Sequence, residues 1–482
     1  MKPKQTKRPL VLAAVMLAMF MGAIEATIVS TAMPDIVAEL GGFSLYSWVF
    51  SAYLLMNAAT VLIYGKLSDI FGRRPVLFAG MTIFLAGSIL CGLAGSMEQM
   101  ILFRFIQGVG AGAVMPIATT IVGDIYSKEE RAHIQGYLSS VWGISAVSGP
   151  ALGGLLVEYV SWRWVFWINI PLGVVSMVML GLFLHEKVEK KKPDIDYIGT
   201  VLFLVGISTF MYWLVEAGNT AHTGPLLVLG AVSFCLFALH ERRTPSPIVP
   251  FHLWKVRPIL IANLVSLTTG IMLIGISSFL PTYVQGVMGK SATIAGFTLT
   301  AMSIGWPIAS SLSGRLLHSI GYRATTLIGG AALLAGGLMF MFMTPDLGPW
   351  WAAASSFVTG VGMGLTSTAF IISIQNAVEW HERGAATAAN MFMRNIGNAI
   401  GAALLGGVLN SQLSAYLAGK SGADNLSVNS VNELLGGEGD IPASARAILG
   451  EGLTSSLHAV YFVVFLFAAL SFILLLFLKK GE

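Results

Sequence analysis

The chain has 482 residues, of which 55% are hydrophobic and only 11% charged, with a mean hydropathy of +0.77. An average soluble domain carries about 25% charged residues, so this composition excludes a disordered or collagenous chain, a basic nucleic-acid module and an ordinary cytosolic enzyme; it reads as an all-α polytopic membrane protein. The net charge of +4, from 28 basic and 24 acidic residues, is too small to argue for a polyanionic partner, and no nucleic acid is expected.

Lys2, Lys4, Lys7 and Arg8 precede the first apolar stretch. That stretch continues to about Met33, longer than the core of a secretory signal, and so predicts a retained span. Runs of about 20 apolar residues are needed to cross the hydrocarbon core. Fourteen are found, near 10–33, 44–64, 75–95, 99–122, 133–157, 164–185, 196–216, 224–241, 258–282, 293–313, 323–343, 349–373, 385–408 and 455–478. With the N-terminus inside, 22 of the 28 basic residues fall in cytoplasmic segments and only Arg163, Lys290, Lys420 and Arg446 outside. That asymmetry predicts both termini on the cytoplasmic face. Arg104 and Arg394 are left inside spans. Cys91 and Cys235 each lie in an apolar run, which favours two buried thiols over a disulfide. Trp162, Trp164 and Trp167 fit an interfacial belt. One long outer loop, 411–454, is rich in Gly, Ser and Asn and gives no sign of a separate domain.

The chain repeats itself. Gly65-Lys-Leu-Ser-Asp69-Ile-Phe-Gly72-Arg73-Arg74 is matched 249 residues later by Gly314-Arg-Leu-Leu-His318-Ser-Ile-Gly321-Tyr-Arg323. Gly108-Val-Gly110-Ala-Gly112 returns at an offset of 252 as Gly360-Val-Gly362-Met-Gly364, and Glu130-Arg131 as Glu382-Arg383. The repeat divides the chain into a six-span bundle over 1–190, an inserted pair over 191–245 and a second six-span bundle over 246–482. Parallel six-span halves predict alternating access to a site between them.

Several residues stand out chemically. A carboxylate inside a span costs several kcal/mol unless neutralised, paired or wet, which makes Glu25 the first functional candidate, as a reversible proton acceptor. The competing reading is a packing acid held permanently by Asn57 or Arg104. Arg104 needs carboxylate or carbonyl partners; a coupling role and a structural clamp are both open. Gly149-Pro150 bends span five, and Gly149-x-x-x-Gly153 permits close helix approach, as do Gly108-x-x-x-Gly112 and Gly397-x-x-x-Gly401. For Arg394 the favoured reading is a snorkelling structural arginine; the alternatives are that it faces the cavity or reaches an inner carboxylate such as Glu379. Tyr53, Asn57, Met115, Trp142, Trp306 and Phe392 are candidates for lining a cavity together with Glu25; aromatic and methionine walls suit greasy, often cationic ligands. The chain has no Gly-x-x-x-x-Gly-Lys-Ser/Thr phosphate loop and no paired histidine spacing, so neither ATP hydrolysis nor a catalytic metal is indicated.

Four of these patterns resemble the major facilitator superfamily, and within it the fourteen-span drug:proton antiporters. They are Ile24-Glu25-Ala-Thr27-Ile-Val-Ser-Thr-Ala32-Met-Pro34, where the family more often has Asp at the Glu25 position; the Gly65 to Arg74 loop; Arg104-Phe-Ile-Gln107-Gly108; and Gly143-Ile-Ser-Ala-Val-Ser-Gly149-Pro150-Ala-Leu-Gly153-Gly154. The resemblance covers essentially the whole chain. It implies the major facilitator fold with two inserted helices, proton coupling through Glu25 and Arg104, and a gate formed by Gly65, Asp69, Gly72, Arg73, Arg74 and Asp124. It also implies an exporter-type packing motif at Gly143, Gly149, Pro150, Gly153 and Gly154. The implied protein is a plasma-membrane antiporter for lipophilic or cationic small molecules, driven by protons without a cofactor and able to work as a monomer. A proton-coupled symporter, a lipid or metabolite exporter and a non-transporting sensor are the alternatives on the same scaffold.

Overall fold

A computed structural model describes residues 6–126, 128–186, 196–215, 220–244, 253–378, 383–420, 423, 426–436 and 442–479. Among them every regular element is helical. The first half comprises α1 (Arg8–Leu40), α2 (Tyr46–Phe71), α3 (Arg73–Gly92), α4 (Met97–Ile125), α5 (Lys128–Tyr159), the short α6 (Trp164–Trp167) and α7 (Asn169–Phe183). Next come α8 (Tyr197–Val215) and α9 (Thr220–Glu241). The second half comprises α10 (Arg257–Thr282), α11 (Ala292–Met341), α12 (Gly348–Asn376), α13 (Arg383–Ala418), α14 (Val431–Gly436) and α15 (Ala443–Leu476).

Eleven helices among the described residues are long and apolar enough to span a membrane, against fourteen runs in the sequence. Two runs merge because α11 passes through Gly321 with only a local break, at φ 82° and ψ 173°. The other two correspond to α2, which carries Lys66 and Asp69 in its last third, and to α8, apolar over the shorter stretch Ile198–Phe210. The loop expected over 411–454 is largely helical too, since α13 runs on to Ala418 and α15 begins at Ala443.

Helix ends follow local chemistry. The Ser96 hydroxyl accepts from the Gln99 amide at 3.3 Å to start α4, and Ser291 does the same for Ile294 at 3.4 Å to start α11. Gly72 turns the chain between α2 and α3 at φ 96°, a conformation that a side chain would strain, and its repeat partner Gly321 adopts the same kind of geometry. The glycine triplets repeat their contacts as well. A Cβ on Gly108 would lie 2.5 Å from the Tyr53 carbonyl oxygen and one on Gly112 2.2 Å from Thr60 Oγ1, both on α2, while one on Gly110 would meet the α3 backbone at Phe84. In the second half Gly360 and Gly364 abut the carbonyls of Met302 and Trp306, before the Gly321 break in α11, and Gly362 abuts Leu333 after it. Three glycines thus seat one helix against two neighbours in each half.

The core shows how the halves meet. At the end of the bundle that carries the 426–436 segment, here the loop end, one apolar cluster joins Ile28, Phe43, Tyr46 and Phe50 of the first half to Phe279, Tyr283, Leu457 and Tyr461 of the second. At the opposite end, marked by Gly72 and Gly321, the halves keep separate cores. One is built on Val15, Met81, Phe84 and Ile117, the other on Ile259, Val265, Phe370 and Leu475. Polar bonds across the halves also cluster at the loop end. The Tyr46 hydroxyl donates to the Ser278 carbonyl, Gln285 Nε2 to Thr31 O at 3.2 Å, and Asn410 Nδ2 to Ser44 O at 2.6 Å. The 426–436 segment adds two more, in which Asn432 and Asn429 accept from the Phe43 and Ser44 amides, each at 3.1 Å.

Two sequence expectations fail in this packing. Cys235 is exposed on α9 and only Cys91 is buried; both are free thiols. Trp162 does not sit in a belt. It is 4% exposed and donates to Glu39 Oε2 at 2.6 Å, beside an Arg163 to Glu39 ion pair at 2.7 Å.

Candidate functional site

The polar centre of the first half is assembled from five helices. Glu25 on α1 is fully buried and Arg104 on α4 is 2% exposed, and the two form an ion pair through Arg104 Nη1. The remaining valences are nearly all filled. Asn169 at the start of α7 donates to Glu25 Oε2 at 2.6 Å, Arg104 Nε donates to the Val49 carbonyl of α2 at 3.2 Å, and Arg104 Nη1 also reaches Gln107 Oε1 at 2.7 Å. Gln107 passes the chain on to Ser88 Oγ of α3 at 2.8 Å. The guanidinium lies 4.1 Å from the Tyr53 ring centroid and 5.9 Å from that of Phe166. Charges this deep are tolerated only when paired and hydrogen-bonded. Among the described residues Glu25 is the only carboxylate facing Arg104, and the pair ties five helices together.

Tyr53 therefore covers Arg104 rather than standing free in a cavity. Asn57 is half-buried one turn further along α2. Met115 packs into the first-half core at the Gly72 end. Sequence reading did not single out Asn169 or Ser88. The available signal was a neutral amide, Asn169, in an otherwise apolar run.

Of the residues proposed for the gate, Arg73 and Asp124 are brought together. Arg73 Nε pairs with Asp124 Oδ2 at 3.2 Å, and Arg73 Nη1 donates to Ser68 Oγ at 2.9 Å. The side chains of Lys66 and Asp69 lie outside the described part of the chain. Glu186, which the sequence reading passed over, clasps the start of α3, accepting from the backbone amides of Arg73 at 2.7 Å and Arg74 at 3.1 Å. A carboxylate there meets both unpaired amides and the positive end of the helix dipole. Arg74 turns away, donating to the Leu184 carbonyl at 3.3 Å and lying 5.6 Å from the Phe78 ring. At the matching positions of the second half the sequence has His318 and Asn376 in place of Asp69 and Asp124, so the repeat keeps the turn and loses its acids.

The exporter-type motif of α5 splits between two faces. Cβ atoms on Gly149 and Gly153 would lie 2.0 and 2.1 Å from the hydroxyls of Thr27 and Thr31 on α1, within the same half. One on Gly154 would lie 2.6 Å from the Ala292 carbonyl of α11, and Gly296 of α11 abuts the Pro150 carbonyl in return. Thr300 Oγ1 donates to Val147 O at 3.3 Å along the same line. Gly143 has more room, with Pro307 3.7 Å from a Cβ built there, and Trp142 is exposed.

The second half contains a small cavity whose wall includes Ser266, Thr269, Trp306, Phe370, Asn390 and Arg394. Trp306 lines this cavity. Phe392 is not, because it packs on Phe203 of the inserted α8 with ring centroids 5.5 Å apart. Arg394 faces the cavity instead of snorkelling. It stands eleven residues beyond the first residue of α13 at Arg383, roughly 16 Å along the axis at 1.5 Å per residue. Glu379, its suggested partner, lies outside the described residues. Among the described residues no cluster of three or more His, Cys, Asp or Glu side chains is placed to hold a metal.

Residues 15–402 match the sequence model of the Major Facilitator Superfamily. The chain belongs to this superfamily. Two relatives from Bacillus subtilis (strain 168) align along almost the whole chain. Multidrug transporter protein MdtP is 33% identical over 99% of this chain and 94% of its own length, and Multidrug resistance protein 3 is 34% identical over 99% and 96%. Among solved structures, a bacterial homologue of the human lysosomal transporter Spinster, in an inward-facing and unoccupied conformation, superposes with a TM-score of 0.66. That match has 18% identity and covers 98% of each chain, so it is a likeness of fold. As a member of the superfamily, this chain is a multi-pass membrane protein of a transporter family, and its apolar helices are the spans that membership requires.

Proposed function

We propose that this protein is a secondary exporter that exchanges inward-moving protons for lipophilic or cationic small organic molecules. The observation that carries the reading is the Glu25 to Arg104 pair, a buried titratable acid whose counter-charge comes from α4 and hydrogen bond from α7, while α2 and, through Gln107, α3 brace the arginine. The multidrug relatives support the substrate class. Protonation of Glu25 frees Arg104, substrate and proton favour different arrangements of the same helices, and antiport follows. The proton gradient supplies the driving force; no cofactor and no enzymatic step are involved, and a monomer suffices.

The architecture we assign is fourteen spans, reached from the eleven helices by dividing α11 at Gly321 and adding α2 and α8. Six spans fall in 1–190, two in 191–245 and six in 246–482, with both termini on the cytoplasmic side of the plasma membrane, as the distribution of Lys and Arg favours. With that orientation the shared core lies outside and the separate cores face the cytoplasm, an arrangement open to the inside. Membrane vesicles carrying Glu25→Gln are expected to lose extrusion of an ethidium-like dye under an imposed pH gradient while retaining folded protein. Extrusion against a gradient at the wild-type rate would sink the assignment. Direction is read in inverted vesicles, where added dye is expected to trigger proton release; proton uptake together with dye would instead indicate symport.

A further inference from the structure

We propose that the cavity of the second half binds the anionic group of the transported molecule, a carboxylate held by Arg394, so that preferred substrates are aromatic amphiphiles bearing a carboxylate, zwitterions included. The proposal rests on the exporter reading above and narrows its substrate class.

The argument begins with a missing counter-ion. Arg394 lines the cavity, and among the described residues its guanidinium makes no hydrogen bond or ion pair; its recorded neighbour is the Trp306 ring at 6.0 Å. Among the described residues the second half offers it no free acid; Glu379 and Glu382 lie outside them. Between Arg257 and Val378, Asp346 is the only carboxylate, and it sits in the loop-end turn before α12. From Arg383 to Lys420 there is none, and from Pro442 to Lys479 only Glu451, which pairs with Lys420 at 2.7 Å. In the first half Glu25 is already held by Arg104 and Asn169. A guanidinium kept in a largely apolar bundle without a partner is costly, and a bound anion relieves that cost.

The surrounding wall fits an amphiphile. The planar fork of an arginine matches a carboxylate with two parallel bonds. Asn390, one helical turn before Arg394, is fixed by its donations to Asn263 Oδ1 at 3.1 Å and Ser266 Oγ at 2.9 Å, and the Thr269 hydroxyl donates to Val265 O at 2.9 Å, which leaves both as acceptors on the wall for the positive group of a zwitterion and leaves the anion to Arg394 alone. Trp306 and Phe370 offer the flat apolar faces that an aromatic body needs.

Rhodamine 110 and its methyl ester rhodamine 123 share one xanthene cation and differ in the free carboxylate, so their affinities for the purified full-length protein in detergent isolate that group. The wild type is expected to bind the acid at least tenfold more tightly than the ester. Arg394→Gln should remove the preference while leaving ester affinity within about threefold, and Arg394→Lys should keep part of it. Should Arg394→Gln not yield monodisperse protein, Asn390→Asp sets a carboxylate one turn from the guanidinium and should remove the preference by filling the anion position from within. Equal affinities in the wild type, no binding of either dye, or a preference that survives these variants overturns the proposal. Dye transport in proteoliposomes is scored separately. If the acid preference holds in detergent but neither dye is moved against a gradient, the exporter reading fails and the site stands; if the ester is exported but no preference is found, only the site fails.

Discussion

Arg104 and Arg394 are the arginines that fall inside apolar spans, one in each half, and they live in opposite circumstances. Arg104 is enclosed by a carboxylate, a backbone carbonyl, an amide and an aromatic face, each from this chain. Arg394 has a tryptophan at 6.0 Å and an open cavity. The two stand at different positions of the repeat, since the offset of 252 pairs Arg104 with Ser356 and Arg394 with Trp142, so each half carries its own arginine. What differs is where the neutralising charge comes from: a neighbouring helix in one half, and in our reading the cargo in the other. A titratable acid permanently beside one arginine and an exchangeable one beside the other would let proton and substrate act on separate halves of one machine.

Stability measurements can break or sharpen this comparison. The largest effect is expected from Arg104→Met, which strands Glu25 without its partner and should cost about 3–5 kcal/mol. In thermal unfolding of the detergent-solubilised protein, adding Glu25→Leu to that variant should recover most of the loss; no recovery would mean that the pair is not the unit we take it to be. Asn169→Leu removes one charge-assisted hydrogen bond from the same carboxylate and should cost about 1.5–3 kcal/mol in the same assay. Arg394→Met should behave in the opposite sense, leaving stability unchanged or raising it by up to about 2 kcal/mol, since it strands no acid. A loss as large as that for Arg104→Met would erase the distinction between the two arginines. The smallest effect belongs to Asp124→Asn at the half-exposed Arg73 pair, below about 1 kcal/mol and weakening further as salt is raised.

Much of this was legible in the sequence because charge and glycine are scarce or restrictive inside a bilayer. Glu25 and Arg104 stood out as ions in apolar runs, and they meet. The repeat was legible through its glycines, and the shift in offset from 249 to 252 falls where α11 connects to α12, in a stretch holding the extra turn Pro345–Leu347. The neutral partners were not legible. Asn169, Ser88 and Gln107 are ordinary polar residues until the fold brings α3, α4 and α7 around one carboxylate. Glu186 was hidden for a similar reason, as an acid beside a basic run whose partner is the backbone of a helix more than 110 residues away. Aromatic side chains misled in both directions. Tyr53 and Phe392 pack against an arginine and an inserted helix, whereas Trp306 does line a cavity, and no local pattern separates the three. The overlong α13 and α15 escaped the reading because their extensions beyond the apolar runs carry polar residues that hydropathy discounts.

The contact between α5 and α11 has a consequence for speed. Along Gly154, Pro150 and Gly296 the halves touch backbone to backbone, with no long side chain between them. A seam of side chains must find its rotamers again each time it closes, and each one ordered carries an entropy of up to about 2 kcal/mol. A glycine seam has almost nothing to reorder, so it can be remade in every cycle with little delay. On this view the close approach bears on the turnover of the transporter more than on its strength, and a single β-branched residue at Gly296 would be felt first as a slower clock.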